Sequence, residues 1–531
     1  MIGAGAAGLY ALHRVRGLGL LAKVFEKGDG VGGTWYWNRY PGARCDVESW
    51  DYCYTFSEEL EQEWEWTERF PAQPELERYF NYVADRFDLR RDIEFNTRIN
   101  QARYDDEQNR WLISTSSGET VSTRFLISAA GCLSEVNTPH FEGVDTFAGQ
   151  QIHTARWPKG GLDVTGMRVG VIGTGSTGTQ VIPQLAKQAD QLFVFQRTAQ
   201  FAIPARNRPL DDDTLEELKH NYHERWELKR SSSTGMGRRP TEASSALEVD
   251  EATRNRAFED SWARGGPGFA RAFSDVMTNP ESNQIASEFV REKIREKVDD
   301  PDVADTLVGI DHPLGARRLI VEIDYFETYN RPNVTLVDAA ADPITEITPQ
   351  GLRTTEGSYD LDLIVYATGF DGMTGALLAM DIQGVGGLAL RDKWADGAGA
   401  YLGLVASGFP NLFMITGPGS PAVYSNVIFS IEQHVEWIAD CLAHMLENGL
   451  DRIDSDPEAE AEWTRGVHDI AHASIIGKTD SWWTGSNIEG KPKGVTFYLG
   501  GTNIYREICD EIASNGYEGF VFQPAGKPES V

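Results

Sequence analysis

A strand, a glycine turn and a helix start follow one another in the stretch Arg168-Val169-Gly170-Val171-Ile172-Gly173-Thr174-Gly175-Ser176-Thr177-Gly178. The first five residues form a buried β pattern, and Gly173, Gly175 and Gly178 complete a Gly-x-Gly-x-x-Gly turn. Glycines at this spacing let the backbone turn tightly and approach a pyrophosphate, which then lies at the positive end of the helix dipole. The stretch therefore predicts a Rossmann-like, doubly wound α/β fold that binds a dinucleotide.

The same turn occurs at the beginning of the chain, at Gly3, Gly5 and Gly8. The strand predicted over 21–25 ends in Glu26, whose carboxylate is placed to accept hydrogen bonds from an unphosphorylated ribose. Only two residues precede the first glycine, so most of the expected first strand is missing, and we expect a truncated or misplaced start.

The second turn has the opposite charge preference. The strand predicted over 191–195 ends in Gln196, Arg197 and Thr198, where the first site has a carboxylate. A guanidinium binds a 2′-phosphate through paired charged hydrogen bonds, which indicates NADPH. A third stretch, 363–370, resembles the Ala-Thr-Gly element of flavoproteins with two dinucleotide sites. Two such sites imply a flavin, FAD, that exchanges hydride with a nicotinamide.

Composition narrows the class of protein. At 531 residues, and about 150 residues per domain, the chain predicts three or four units. A formal charge of −31 disfavours nucleic acid and anionic lipid as partners. Neither a membrane-spanning run nor a signal peptide is visible, so we expect a cytoplasmic protein without a membrane partner.

The five cysteines are scattered, with no Cys-x-x-Cys pair. They predict reduced packing thiols, with neither a disulfide framework nor a metal site. The redox chemistry must then come from the cofactor, and a disulfide reductase is disfavoured.

The segment before the second dinucleotide fold carries a specific motif, Phe147-x-Gly149-x-x-x-His153-x-x-x-Trp157-Pro158. It resembles the fingerprint of type I Baeyer–Villiger monooxygenases, which insert one oxygen atom of O2 beside a ketone carbonyl. The resemblance runs nearly end to end and is nearest to the phenylacetone and steroid monooxygenase branch. His153 is either a satisfied loop histidine or a residue that couples the domains.

The resemblance also assigns site residues. It implies an active-site arginine, Arg318, with Asp46 as its carboxylate partner. The implied FAD residues are Gly33, Thr34, Trp35, Asp46 and Tyr52, with Ile99 near the adenine and Val427 near the isoalloxazine. The implied NADPH residues are Ser176 and the glycines of the second turn, with Arg197, Thr198, Arg317 and Trp482. Arg317 stands where the family commonly has lysine, so the charge is kept but its geometry changes.

The implied chemistry explains why an arginine is needed. Reduced flavin and O2 give a peroxide anion at flavin C4a, which must stay unprotonated until it attacks the ketone. A permanently charged guanidinium stabilises this anion and the following oxyanion without giving up a proton. Asp46 would orient Arg318, and retained NADP+ would help to exclude water. From the residues alone, a surface salt bridge is the usual fate of an Arg and an Asp.

We predict a discontinuous FAD-binding domain, 1–133 and 372–531, and an NADPH-binding domain, 134–371, with a helical insertion over 205–316. The run 231–237 in the insertion predicts a mobile loop. Trp482 and Trp483, followed by Thr484 and Gly485, indicate either a lid over NADP or a packed core pair.

The predicted function is the oxidation of a bulky or arylaliphatic ketone, with steroid ketones among the candidates, to an ester or lactone. We expect the protein to be a monomer. Two alternatives stay open. One is an N-hydroxylating flavin monooxygenase, which needs no arginine to protect an anion. The other is a nucleotide-binding flavoprotein without oxygenase activity.

Overall fold

The computed structural model describes residues 1–237 and 245–524. The chain starts with the first glycine turn and a mixed α/β segment. Its elements are α1 Ala6–Gly17, β1 Val24–Phe25, α2 Thr34–Trp37, α3 Glu58–Glu63, α4 Gln73–Arg86, β2 Ile93–Glu94, β3 Ile99–Asp105, β4 Arg110–Thr115, β5 Thr120–Thr123 and β6 Leu126–Ser128.

The middle of the chain contains the second glycine turn and the helical insertion. Its elements are β7 Gln150–His153, β8 Arg168–Ile172, α5 Ser176–Leu185, β9 Gln191–Gln196, β10 Ala202–Pro204, α6 Asp212–His220, α7 Tyr222–Ser231, α8 Glu251–Arg264, α9 Pro280–Arg295, α10 Pro301–Val308, β11 Ile320–Glu322, β12 Val334–Asp338, β13 Ile344–Thr348, β14 Gly351–Thr354, β15 Ser358–Asp360 and β16 Leu363–Tyr366.

The last part of the chain is mainly helical and packs against the first. Its elements are α11 Gly375–Leu378, β17 Asp381–Gln383, α12 Leu390–Lys393, β18 Leu412–Met414, α13 Val427–Glu447, β19 Leu450–Ser455, α14 Pro457–Ala473, α15 Thr502–Ser514 and β20 Phe520–Pro524. Residues of α13 share one buried core with α1 and α4.

Two parallel sheets carry the two glycine turns, as the α/β fold class requires. The second sheet has the strand order β12-β9-β8-β16-β7, and every pair in it is parallel. In the first sheet, Ile2 alone occupies the position between β1 and β6, through single parallel bridges to Phe25 and Ser128. The pairs β1·β2 and β6·β18 extend this sheet on both sides.

In the helical insertion, burial follows the helical spacing of apolar residues on α9. On α9 and just after it, Val290, Ile294 and Val298 lie on one buried face. The five cysteines are all buried and free of disulfides, as predicted. In the described parts of the chain, no helix has the combination of length and apolar character that crossing a membrane requires.

Candidate active site

The first glycine turn forms a backbone cradle in front of α1. Gly3 has φ +98°, and a Cβ on Gly8 would lie 1.9 Å from the Gly3 carbonyl oxygen. Gly5 and Gly33 face each other so closely that a Cβ on Gly33 would lie 2.8 Å from the Gly5 Cα. The first turn of α1 has neither a side-chain cap nor an acidic residue. Its free N–H groups fit a pyrophosphate, which is the group that FAD would place there.

Glu26 lies beside this cradle and is 5% exposed. Its two carboxylate oxygens accept hydrogen bonds from the backbone N–H groups of Ala4 and Gly28, each at 2.8 Å. These bonds fix the carboxylate and leave each oxygen a further lone pair for a ribose hydroxyl. Ile99, predicted to lie near the adenine, packs in a neighbouring apolar cluster with Ile2 and Phe25.

The other predicted flavin residues fall into two groups. The indole Nε1 of Trp35 donates to the Tyr52 hydroxyl at 3.1 Å, and both side chains are buried. Thr34 is exposed at the start of α2, and Val427 is half-buried at the start of α13. Burial raises the pKa of Tyr52, and the nearby Asp46 carboxylate adds to the shift.

The second glycine turn is tight at two positions and open at the third. A Cβ on Gly173 would lie 2.7 Å from the Ala367 carbonyl oxygen, and one on Gly178 would lie 2.2 Å from the Gly173 carbonyl oxygen. Around Gly175, no atom of the described residues other than its chain neighbours lies within 4 Å of the Cβ position. The protein's own packing therefore does not require glycine there, whereas a nucleotide approaching the uncapped start of α5 at Ser176 would.

Two arginines lie beside this turn, near enough for their charges to interact. Arg197 follows β9 on the surface, next to Thr198, whose carbonyl accepts a hydrogen bond from Thr174. Arg317 is half-buried, and its Nε is buried with no hydrogen-bond partner in the part of the chain that the structure describes. Burial lowers the pKa of Arg317, and the positive charge of Arg197 acts in the same direction. Paired cations with an unsatisfied donor fit the 2′-phosphate of NADP.

Arg318 and Asp46 form a two-pronged ion pair. Nε donates to Oδ2 at 2.5 Å and Nη2 donates to Oδ1 at 2.7 Å. The Arg318 side chain is 30% exposed and that of Asp46 is 20% exposed. Burial acts to lower the pKa of Arg318, but the Asp46 carboxylate outweighs it and holds that pKa above its usual range. Burial acts to raise the pKa of Asp46, but Arg318 outweighs it and lowers that pKa.

A third hydrogen bond fixes the far side of the arginine. Nη1 of Arg318 donates to the carbonyl of Val423 at 3.0 Å. Val423 lies in a short turn whose first residue, Ala422, has φ +38°. A non-glycine residue in this region is strained and persists only where its surroundings hold it. The turn therefore presents a carbonyl to Arg318 in a fixed direction.

Comparisons with known proteins agree with this geometry. Residues 1–209 match the model of the flavin-binding monooxygenase-like family. A Baeyer–Villiger monooxygenase of Pseudooceanicola batsensis is 42% identical over 529 residues, covering 98% of this chain and 95% of that protein. Phenazine N-monooxygenase PhzNO1 of Lysobacter antibioticus is 43% identical over 526 residues, covering 98% and 96%. The structure of an oxidized steroid monooxygenase bound to NADP has a TM-score of 0.94 at 52% identity, covering 99% of both chains.

The chain belongs to the Baeyer–Villiger monooxygenase family. It is an NADPH-dependent flavin monooxygenase that uses O2 to convert ketones to esters or lactones, with FAD and NADP as cofactors. The predictions of family, fold class, activity and cofactors are thereby confirmed.

The family fingerprint lies at the edge of the second sheet. Its strand β7 pairs with β16, which places His153 opposite Tyr366. His153 is 6% exposed, and its Nδ1 accepts a hydrogen bond from the Ala155 N–H at 3.1 Å. Burial lowers the pKa of this imidazole to about 4. The histidine is therefore neutral and fixed in the interior.

The other fingerprint residues support this strand. Phe147 and Trp157 are buried, whereas Pro158 is exposed. A Cβ on Gly149 would lie 2.5 Å from the Asp362 carbonyl oxygen, so glycine is required for close packing there.

Trp482 and Trp483 differ in their surroundings. Trp483 is 5% exposed and packs in an apolar cluster, whereas Trp482 is only half-buried. Trp482 lies against Gly372, whose Cβ position is 3.0 Å from the indole ring. Asn487, which follows this pair, donates to the Phe370 carbonyl at 2.9 Å. The segment is thus held against the chain just after β16.

Sequence reasoning missed two contacts of the site. The hydrogen bond from Arg318 to the Val423 carbonyl carries no sequence signal. Gln180 of α5 binds Tyr40 and Arg44, close to Asp46, and no motif marks it.

Proposed function

We propose that Arg318, oriented by Asp46, holds the carbonyl oxygen of a bulky or arylaliphatic ketone while oxygen is inserted beside it. The observation that carries this proposal is the use of the guanidinium's donors. Among the described residues, three of its five N–H groups donate to Asp46 and Val423, which leaves two for a ligand. A cation that is held on two sides and partly exposed is suited to stabilise developing negative charge.

The net reaction combines a ketone, O2, NADPH and a proton to give an ester or lactone, NADP+ and water. When bound, the flavin supplies the activated oxygen and the nicotinamide supplies the hydride. Arg318 has a pKa above its usual range, so it binds an oxyanion without giving up a proton. Asp46 stays ionised because Arg318 outweighs the effect of burial, which keeps the pair in one geometry.

The preference for a bulky or aryl ketone is supported by the aromatic side chains beside Val423. The ring of Tyr424 lies 6.1 Å from that of Phe497 and 6.3 Å from that of Trp483, measured between centroids. Phe497 and Trp483 are themselves buried, so the half-buried ring of Tyr424 is the flat apolar surface left among these three. Such a surface favours an aryl or polycyclic group over a short alkyl chain.

We also propose the division into an FAD-binding domain, 1–133 and 372–531, and an NADPH-binding domain, 134–371. It is supported by the two parallel sheets, since the strands that flank each glycine turn stay within these limits.

The test compares Arg318→Ala with Arg168→Ala, a control that removes another two-pronged Arg–Asp pair, with Asp362. We expect Arg318→Ala to keep anaerobic flavin reduction by NADPH and to lose ester formation by at least about 100-fold. The control should keep both. Ester formation that persists in Arg318→Ala would contradict the proposal.

N-oxygenation is the second candidate, because a relative of the same similarity is named a phenazine N-monooxygenase. A nitrogen nucleophile needs no fixed cation at a carbonyl oxygen, so this activity should survive in Arg318→Ala. Testing ketones and phenazines with both variants separates the two reactions.

A further inference from the structure

A nearly solvent-free ion pair lies where the helical insertion meets the segment after Asp46. Lys229 of α7 is 2% exposed and Asp51 is 1% exposed, with 3.8 Å between Nζ and Oδ1. Lys229 and Arg225 both donate to the Trp50 carbonyl, at 3.1 and 2.7 Å. Burying a lysine and an aspartate costs solvation, so this pair is a weak source of stability and a stronger indication of a positional role.

Asp51 also contacts the loop that follows α7. Its Oδ1 accepts a hydrogen bond from the Gly237 N–H at 3.2 Å. The loop was expected to be mobile, but it is anchored: Thr502 donates to the Ser232 carbonyl at 2.8 Å, and a Cβ on Gly235 would lie 2.6 Å from the Phe429 ring. The insertion is thus joined to two other parts of the chain.

Asn426 connects these segments. Its Nδ2 donates to the carbonyls of Asp51, at 2.6 Å, and Gly235, at 3.1 Å. Its backbone N–H donates to the Thr234 carbonyl at 2.8 Å, and its Oδ1 caps α13 by accepting from Ile428. The side chain is 1% exposed. Every donor of this asparagine is therefore spent on holding another segment in place.

The two segments joined at Asn426 are the ones that hold Arg318. Asp51 follows Asp46 by five residues, and Asn426 follows Val423 by three. We propose that Asp51, Lys229 and Asn426 are positioning residues that fix the separation of Asp46 and Val423, and thereby the direction of the Arg318 guanidinium. This inference rests on the proposed role of Arg318. It gives the helical insertion a function in oxygen transfer, although none of the described residues of the insertion is a hydrogen-bond partner of Arg318.

The sharpest variant is Asn426→Ser, which can still cap α13 but loses both Nδ2 donors. Asp456→Ser is its control, because it changes another helix cap, that of α14, in the same way. Lys229→Met removes the buried lysine, and the double variant Asp51→Asn/Lys229→Met removes both members of the pair should the single variant fold poorly. Arg225, whose Nη2 lies 3.7 Å from Asp51 Oδ1, remains as a second cation in both. Lys393→Met is the control for this pair. Lys393 forms an ion pair with Glu460 at 2.7 Å that includes none of the hydrogen-bond partners of Arg318 given above.

Three quantities are measured on the holoenzyme: flavin reduction by NADPH, ester formed per NADPH oxidised, and hydrogen exchange of 46–52 and 422–427. When oxygen transfer fails, O2, NADPH and a proton give hydrogen peroxide and NADP+ instead. A displacement of about 1 Å costs up to about 100-fold in rate, so we expect a 10- to 100-fold lower ester-to-peroxide ratio in Asn426→Ser and in the charge variants. Flavin reduction should stay near the wild-type rate, and hydrogen exchange of both segments should rise. Lys229→Arg, which keeps the cation, should keep the wild-type ester-to-peroxide ratio.

A wild-type ester-to-peroxide ratio in Asn426→Ser and in the double variant would overturn the inference. An equal fall of this ratio in the two controls would also overturn it. An equal fall of flavin reduction and ester formation would also overturn it, because it indicates a general structural role. If the wild-type enzyme forms no ester from any ketone, the proposed function fails instead. The exchange data then still decide whether these residues hold the two segments.

Discussion

The side-chain amide of Gln180 on α5 binds both the backbone N–H and the backbone carbonyl of Arg44. Its Nε2 donates to the Arg44 carbonyl at 3.0 Å, while its Oε1 accepts from the Arg44 N–H at 3.4 Å and from the Tyr40 hydroxyl at 2.7 Å. Helix α5 starts at the second glycine turn, and Arg44 precedes Asp46 by two residues. The bonds therefore connect this turn with the segment that carries the Arg318–Asp46 ion pair.

We expect Gln180→Leu, which keeps the size of the side chain, to lower the free energy of unfolding by about 1–3 kcal/mol, because buried partners lose their hydrogen bonds. It should also slow flavin reduction by NADPH while FAD stays bound. Urea denaturation and rapid mixing under anaerobic conditions measure the two effects. Gln188→Leu is the control, because Gln188 is exposed in the turn that follows α5. It should change neither the free energy of unfolding nor the rate of flavin reduction.

The glycines of the second turn give a prediction with an internal control. Gly178→Ala places its Cβ 2.2 Å from a carbonyl oxygen and should lower the Tm clearly, whereas Gly175→Ala meets no atom within 4 Å. The backbone of Gly175 has φ −73°, which alanine adopts without strain. Gly175→Ala should therefore keep the Tm and raise the KM for NADPH, because the methyl group occupies space needed by the nucleotide. A lower Tm with an unchanged KM would contradict this division.

The paired arginines predict the coenzyme preference. Charged hydrogen bonds are worth about 1.5–3 kcal/mol, so Arg197→Ala and Arg317→Ala should each lower kcat/KM for NADPH by about 10- to 100-fold. Activity with NADH, which lacks the 2′-phosphate, should change little and is the control within each variant. Equal losses with both coenzymes would place these arginines elsewhere. Steady-state kinetics with the two coenzymes provides the measurement.

The strand–turn–helix units of the two dinucleotide folds could be predicted from the sequence, because the residues that form each unit are close together in the chain. The strand predicted over 168–172 is β8 without change, since its β-branched residues and the following turn agree. The strand predicted over 21–25 shrinks to Val24–Phe25, and Leu21 is fully exposed. A short strand beside Ile2 alone has few partners, and a β pattern does not reveal how many partners a strand will find.

The ion pair of Arg318 and Asp46 could not be derived from spacing, because 272 residues separate them. The family resemblance predicted the pair, while the hydrogen bond to Val423 depends on a turn whose strained backbone has no sequence signature. The contacts of Lys229 and Asn426 are similar cases. Both residues are of types that are usually solvated, and only tertiary packing buries them.

His153 gives a prediction about pH. Burial lowers its pKa from about 6.5 to about 4, the Gly369 carbonyl opposes the shift and the charge of Arg156 adds to it. The folded protein binds this proton less readily than the unfolded chain, so the stability contributed by the neutral imidazole is complete above pH 6.5. It is lost as the pH falls towards 4. His153→Asn keeps an acceptor for the Ala155 N–H but does not titrate. Between pH 7.5 and 5, urea denaturation should show the wild-type protein losing about 2 kcal/mol more than this variant. Identical pH slopes for the two proteins would mean that the histidine is not held neutral by burial.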